Sequence, residues 1–255
     1  MLDIFSRTNV GLLGDFARSK VLLAFDYDGT LAPIVAAPER AELRARTRVL
    51  LAAAARLYPV AVISGRAHTD LRRRLSGVTV ASLVGNHGIE SWHEAGRAGE
   101  EVLRWLPRLA EAVAPLRGVS IEDKVYSVAV HYRRSREKKR ARREVLRAAG
   151  ELADVRVVPG KQVINILPLG QPNKGVALER ERERLGCDTA IYVGDDMSDE
   201  DVFALDQPGR LLSIRVGASR GSAAPYFIRG QRTMDTFLRT LVAHRRVQAR
   251  SRVAP

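Results

Sequence analysis

The sequence predicts an α/β fold, a parallel sheet with helices on both faces, interrupted by an inserted α+β unit. Three observations carry that expectation. Short apolar runs alternate with amphipathic stretches at both ends of the chain. Three of the runs stop abruptly in polar residues, at Asp26, Ser64 and Asp195. Between the two halves the rhythm changes to half-polar alternating strands beside a very basic helix.

Taken in order, Val21–Phe25 is too short for a helix and runs into a Gly-containing turn, so it reads as a buried strand. Residues 41–58 are rich in Ala, Leu and Arg and form an amphipathic helix stopped by Pro59. Val60–Ile63 is a second strand, residues 70–75 are helical in character, and residues 78–84 give a third strand. Residues 99–116 follow as a helix that Pro107 should kink or split. Residues 119–122 and 126–132 are strands, the second alternating Tyr126, Val128, Val130, Tyr132 against Ser127, Ala129, His131, as for a strand packed on one face. A basic helix over 134–149 precedes strands at 155–158 and 162–167, joined by a turn at Pro159-Gly160-Lys161. Asn173 is placed to cap a helix running to residue 185; strands at 190–193 and 211–216 and a helix at 233–247 complete the chain.

A chain of 255 residues can bury a full core. No apolar run approaches the ~20 residues needed to span a bilayer, and residues 1–16 lack the apolar centre of a secretory signal. With Cys187 as its single cysteine the chain forms no internal disulfide, and the cytoplasm is the expected compartment. The formal charge of +13 could attract nucleic acid or anionic substrates. Nearly all of it is arginine spread along the chain, which reads as composition rather than one patch. The arginine run from Arg133 to Arg147 has no interleaved aromatic residues, as a single-strand platform would need, so no nucleic-acid partner is expected.

The strand ends carry the chemistry, because open parallel sheets bind ligands there. In Asp26-Tyr27-Asp28-Gly29-Thr30 two carboxylates stand two residues apart after a strand. Both can reach a metal, one by side chain and one through its backbone carbonyl. A carboxylate held on a cation can attack phosphorus, and a neighbouring carboxyl can serve as acid and base. Ser64-Gly65-Arg66 offers a hydroxyl and backbone amides, a cradle for phosphate oxygens. Acids clustered at Asp195, Asp196 and Asp199 repel one another unless a cation sits among them. Asp195, first after its strand, is the favoured direct ligand. Lys174 can neutralise the phosphate or the nucleophile.

In their order these motifs resemble the haloacid dehalogenase (HAD) superfamily of phosphotransferases: Asp-x-Asp-Gly-Thr at Asp26 to Thr30, then Ser64, Lys174, and Gly-Asp-Asp-x-x-Asp from Gly194 to Asp199. Further matches at Gly85-Asn86-His87-Gly88-Ile89-Glu90, at Glu122-Asp123-Lys124 with His131-Tyr132-Arg133, and at Asn173-Lys174-Gly175 resemble the trehalose-6-phosphate phosphatase family. Ser198 stands where that family usually has threonine, and Asn165-Ile166-Leu167-Pro168 lacks the charged residue commoner before the proline.

The resemblance implies a Rossmann-like HAD core over residues 1–91 and 167–255, with a cap over 92–166. It implies Asp26 as nucleophile and Asp28 as acid/base, with Ser64 and Lys174 completing the catalytic set. It implies Mg2+ held by Asp26, Asp28, Asp195 and Asp199, and substrate contacts from Gly65, Arg66, Asn86, His87, Glu90, Glu122, Lys124, His131 and Arg133. The expected reaction is hydrolysis of trehalose 6-phosphate through an aspartyl-phosphate, and association with a trehalose-phosphate synthase is compatible with it. The same chemistry on sucrose phosphate or a glycosyl-glycerate phosphate is the alternative. A basic nucleic-acid-binding protein is the alternative of another class.

Overall fold

The computed structural model describes residues 1–35, 37–90 and 95–251. The elements in chain order are β1 (Leu2–Asp3), α1 (Val10–Arg18), β2 (Val21–Phe25), α2 (Ala45–Ala55), β3 (Val60–Ile63), α3 (His68–Arg74) and β4 (Ser82–Val84). Next come α4 (Ala95–Val113), β5 (Ser120–Asp123), β6 (Val128–His131), α5 (Lys138–Gly150), β7 (Val155–Gly160) and β8 (Val163–Pro168). The chain closes with α6 (Lys174–Arg184), β9 (Thr189–Gly194), α7 (Glu200–Phe203), β10 (Leu211–Val216), β11 (Tyr226–Ile228) and α8 (Met234–Ser251).

Seven strands form one parallel sheet in the order β1-β11-β10-β9-β2-β3-β4, and four form an antiparallel sheet in the order β5-β6-β8-β7. The parallel sheet is buried on both faces, which is why its strands read as unbroken apolar runs. On one face Leu23, Phe25, Ile191 and Val193 pack with Leu13 of α1, Leu51 of α2, Leu71 of α3 and Leu241 of α8. On the other, Leu22, Ala24, Ala190 and Tyr192 pack with Ala177 and Leu178 of α6 and Phe203 of α7. Adjacent in the sheet, β2 and β9 bring Asp26 beside Gly194 and Asp195. The fold is a Rossmann-like core with an added α+β layer, as expected.

In the smaller sheet, Val128, Val130, Ile164 and Ile166 pack under Leu109 of α4 and Val145 of α5. Residues paired across antiparallel strands share a face, so Ser120, Glu122, His131 and Asn165 lie together on the opposite side. That side is not open as the alternation suggested. Ser127 and Ala129 are fully buried because the face rests on the larger sheet's loops.

Several boundaries differ from the sequence expectation, each for a local reason. α2 starts at Ala45, not residue 41: the Ala41 carbonyl accepts from Arg74 (2.6 Å) and from the Tyr27 hydroxyl (3.1 Å), which ties the preceding segment down as a loop. Pro107 lies inside an unbroken α4. The carbonyl it leaves without a donor belongs to Leu103, whose exposure (66%) lets water take its place. Pro159 and Gly160 stay in β7, and the turn is Lys161-Gln162, with Gln162 at φ 66°. The expected third strand shrinks to Ser82–Val84, and α5 begins at Lys138 rather than 134, after a turn in which the Ser135 hydroxyl accepts from the Glu137 N–H. Asn173 caps α6 as expected, accepting from the Val176 N–H at 2.9 Å. Trp105 is core of the smaller layer, whereas Trp92 and the start of the expected cap at residue 92 lie outside the described residues. No helix among the described residues is long and apolar enough to cross a membrane.

Candidate active site

The carboxyl ends of β2, β3 and β9 and the start of α6 meet at one point, under the polar face of the smaller sheet. Between the layers lies a cavity of about 570 Å³, lined by Asp26, Asp28, Ser64, Gly65, Arg66, His87, Lys174 and Asp195 below, and by Glu122, Lys124, His131, Arg133, Lys161 and Asn165 above. That size lies within the range of small-molecule sites, about 300–1,000 Å³.

Asp26 is buried at the cavity floor, and one of its oxygens accepts from the Lys174 ammonium at 2.8 Å. The same ammonium donates to Asp199 at 2.7 Å. Burial holds the Asp26 carboxyl well above the usual carboxylate range; Lys174 opposes that shift, while Asp199 and Asp195 reinforce it. Burial alone would lower Lys174, but its two carboxylate partners hold it above the ordinary lysine value, so it stays charged. Asp199 would likewise be raised by burial, yet Lys174 and its other donors keep it below the usual range.

Asp195 is pushed up to about 6, by burial first and then by Asp199, with Lys161 pulling the other way. Lys161 reaches down from the hairpin tip to the Asp195 Oδ2 at 2.5 Å. The Oδ1 of Asp195 is buried with no hydrogen-bond partner among the described residues. Asp26, Asp195 and Asp199 each place a carboxylate oxygen within 4.8 Å of the others. An orphaned buried carboxylate oxygen inside a crowded acidic cluster is what a divalent cation would relieve, and oxygen donors suit Mg2+. Asp26 and Asp195, the two members of the cluster that line the cavity, therefore fit such an ion. Gly29 makes the approach of the two motifs feasible: at φ 87° it turns the chain, and a Cβ there would lie 2.2 Å from Asp195 Oδ2.

Asp28 is not in the carboxylate cluster. Arg66 grips it by both oxygens, at 2.6 and 2.7 Å, and Arg66 is itself anchored on Asp70 at 2.7 Å. The metal role expected of Asp28 therefore rests on its backbone carbonyl alone. Ser64 is buried at the end of β3, its hydroxyl accepting from the Arg66 N–H at 3.3 Å.

The remaining expected substrate contacts divide. Gly65, Arg66, His87, Glu122, Lys124, His131 and Arg133 line the cavity; Asn86 and Glu90 do not. Asn86 is spent between layers, donating to the Lys124 carbonyl at 3.0 Å and accepting from the Ser127 hydroxyl at 2.7 Å. Glu90 accepts from the His68 N–H and from Asn86, so it braces the loop instead of facing the ligand. The His87 ring is buried, neither nitrogen has a hydrogen-bond partner among the described residues, and burial, then Lys174, hold it well below the ordinary histidine value. Glu122 bonds His131 at 2.8 Å, and Lys124 donates to the Gly65 carbonyl at 2.9 Å.

Sequence reading passed over Lys161, Asn165, Asp70 and Tyr192. Lys161 was readable only as a turn residue and Tyr192 only as a strand residue, since neither motif nor spacing marks them. Asn165 had one signal, its departure from the family pattern.

Comparison with known proteins decides the family. The trehalose-phosphatase family model matches residues 24–231. The chain belongs to the trehalose-phosphatase family. It is 30% identical over 269 residues to the probable trehalose-phosphate phosphatase D of Arabidopsis thaliana, covering 94% of this chain and 72% of that protein. It is 37% identical over 207 residues to the trehalose-phosphate phosphatase of Mycolicibacterium paratuberculosis, covering 75% of this chain. The match takes in only 53% of that mycobacterial protein's length. The C-terminal domain of the Candida albicans trehalose-6-phosphate phosphatase shares the fold, with a TM-score of 0.78 at 24% identity over 92% of this chain and 97% of that one. As a trehalose-phosphatase family member the chain is a HAD-type phosphatase, a phosphoric monoester hydrolase acting on a sugar phosphate.

Proposed function

We propose that the chain hydrolyses trehalose 6-phosphate to trehalose and phosphate through an aspartyl-phosphate on Asp26. The observation that carries the reading is the position of Asp26, buried and held by Lys174 at the floor of a cavity roofed by Glu122, Lys124, His131 and Arg133. The floor has the groups for phosphoryl transfer, and the roof has charged side chains able to make paired hydrogen bonds to sugar hydroxyls.

The free oxygen of Asp26 attacks phosphorus and the bond from phosphorus to the sugar oxygen breaks. Asp28 gives a proton to that oxygen as it leaves, then takes one from the water that cleaves the acyl-phosphate, which restores Asp26. Lys174 holds the attacking carboxylate in place and offsets charge on the phosphoryl oxygens. Ser64 and the amides after it cradle those oxygens. Arg66 orients Asp28, and the incoming phosphate competes for the same guanidinium, which loosens the pair when the proton must move. Mg2+, held by Asp26, Asp195 and the Asp28 carbonyl, would supply electrostatic relief between carboxylate and phosphate. The cap, which we assign to residues 92–166, excludes water from the site.

Asn165 favours keeping a second reading. It puts a neutral amide in the cavity near a place where the family more often carries charge, and this bears on which sugar is accepted. Phosphate release from trehalose 6-phosphate, glucose 6-phosphate, sucrose 6-phosphate and an aryl phosphate, with magnesium and with chelator, tests both. Preference for trehalose 6-phosphate that is lost on chelation supports the proposal. Preference for another sugar phosphate would overturn the substrate and leave the chemistry.

A further inference from the structure

Asp199 is the most completely engaged side chain of the site. One oxygen accepts from the Lys174 ammonium and from the Tyr192 hydroxyl, each at 2.7 Å. The other accepts from the backbone N–H groups of Asp195 at 2.8 Å and Asp196 at 2.9 Å. A carboxylate has about four lone-pair sites, so none is left for a cation. Asp199 is fully buried and does not line the cavity, unlike Asp26 and Asp195. Asp195 has the opposite balance, with one oxygen orphaned among the described residues.

Three of the four donors come from groups with another duty: two are backbone amides of the metal-binding turn and one is the catalytic lysine. Tyr192 is the fourth, and its hydroxyl has no other partner among the described residues. The ring lies on β9 directly across from Ala24 of β2, two residues before Asp26, on the sheet face that packs against α6 and α7. Phe203 holds it edge-on, with centroids 6.0 Å apart and planes at 69°. The hydroxyl thus meets Asp199 from the packed face of the sheet rather than from the cavity.

We propose that Tyr192 is a positioning residue for phosphoryl transfer: its hydroxyl completes a four-donor shell around Asp199, and that carboxylate pins Lys174 to Asp26 instead of binding the metal. Without the hydroxyl, one lone pair of Asp199 is free and the Lys174 ammonium has a second orientation open to it. The bond to Asp26 then loses its fixed geometry, and the cost falls on the chemical step rather than on substrate binding. The inference rests on Asp26 as nucleophile and on no particular sugar, so an aryl phosphate reads it whichever sugar the roof selects.

The test compares the wild type, Tyr192→Phe, Asp199→Asn and the double variant on para-nitrophenyl phosphate, with magnesium affinity by calorimetry and melting temperature for each. Phenylalanine keeps the ring and its packing on Phe203, so only the hydroxyl is removed. The expected result is a kcat about tenfold lower in Tyr192→Phe, with KM and the magnesium Kd within about twofold of wild type. In the Asp199→Asn background the same change should cost less than about twofold, because its target is already altered. An unchanged kcat in Tyr192→Phe would overturn the inference. So would a magnesium Kd weakened about tenfold, which would make Asp199 a ligand posed by Tyr192. A full tenfold loss in both backgrounds would place the hydroxyl's effect elsewhere.

Discussion

The two sheets of this molecule serve one cavity in different ways. The parallel sheet offers only its edge: Asp26, Ser64 and Asp195 stand just past strand ends, where backbone turns, not strand faces, aim them. The antiparallel sheet offers a face, and Glu122, His131 and Asn165 project from neighbouring strands at fixed spacing. The first is buried on both sides and holds its groups in a rigid frame. The second is bound to the first by a small apolar cluster of Ile89 with Val158 and Leu167 and by polar bridges: Lys124 to the Gly65 carbonyl, Ser127 to Asn86, Arg133 to the Val35 carbonyl, Arg156 to Asp201 and Lys161 to Asp195. The more exposed of these bridges can be exchanged for water at small net cost, whereas the buried Ser127–Asn86 pair cannot. A buried frame suits chemistry that tolerates little displacement, and an exchangeable lid suits substrate entry.

The strongest way to break this division is through its floor. Asp26→Asn should lower turnover at least about a thousandfold on every phosphate ester, with the far-ultraviolet spectrum unchanged. A residual rate near wild type would remove Asp26 as nucleophile. Next in size is Lys174→Met, which leaves Asp26 and Asp199 buried without their cation. Loss of one partner from a buried ionic cluster costs about 3–5 kcal/mol, read as a lower urea midpoint. A stability unchanged within 1 kcal/mol would mean that water replaces the ammonium there.

The roof should respond in the opposite sense. Glu122→Ala removes a charged hydrogen-bonding group worth about 1.5–3 kcal/mol, so KM for the sugar phosphate should rise about ten- to a hundredfold. Hydrolysis of an aryl phosphate should stay within about twofold. Equal losses on both substrates would erase the distinction between floor and roof.

The smallest effect sharpens the metal assignment. Because Asp195 is raised to about 6, it holds a proton below that pH in the metal-free chain, and a cation must displace it. Magnesium should therefore raise the melting temperature by a few degrees at pH 7.5 and by much less at pH 5. An equal shift at both values would move the ion away from Asp195. The sign follows from the raised value: ionisation of Asp195 opposes folding as pH rises through about 6 unless a cation is present to favour it.

Much of the core was legible because its strands are buried on both faces and end in polar residues, two signals that stay local in sequence. Asp26, Ser64, Lys174 and Asp195 could each be placed at a strand or helix terminus from the run before or after it. The amide cap at Asn173 was legible for the same reason. Other features depended on partners far along the chain. The late start of α2 is set by Arg74, the unbroken α4 by the solvent exposure of Leu103, and the burial of Ser127 by Asn86. The same holds within the site. Sequence by itself determined which residue types stand at the strand ends, since backbone propensity and apolar periodicity act over a few residues. Only the tertiary structure decided that Asp28 faces Arg66, that Asn86 braces rather than binds, that Lys161 reaches Asp195, and that Tyr192 closes the shell of Asp199. Each of those is a hydrogen bond across a packed interface, and packing is settled by the whole chain at once.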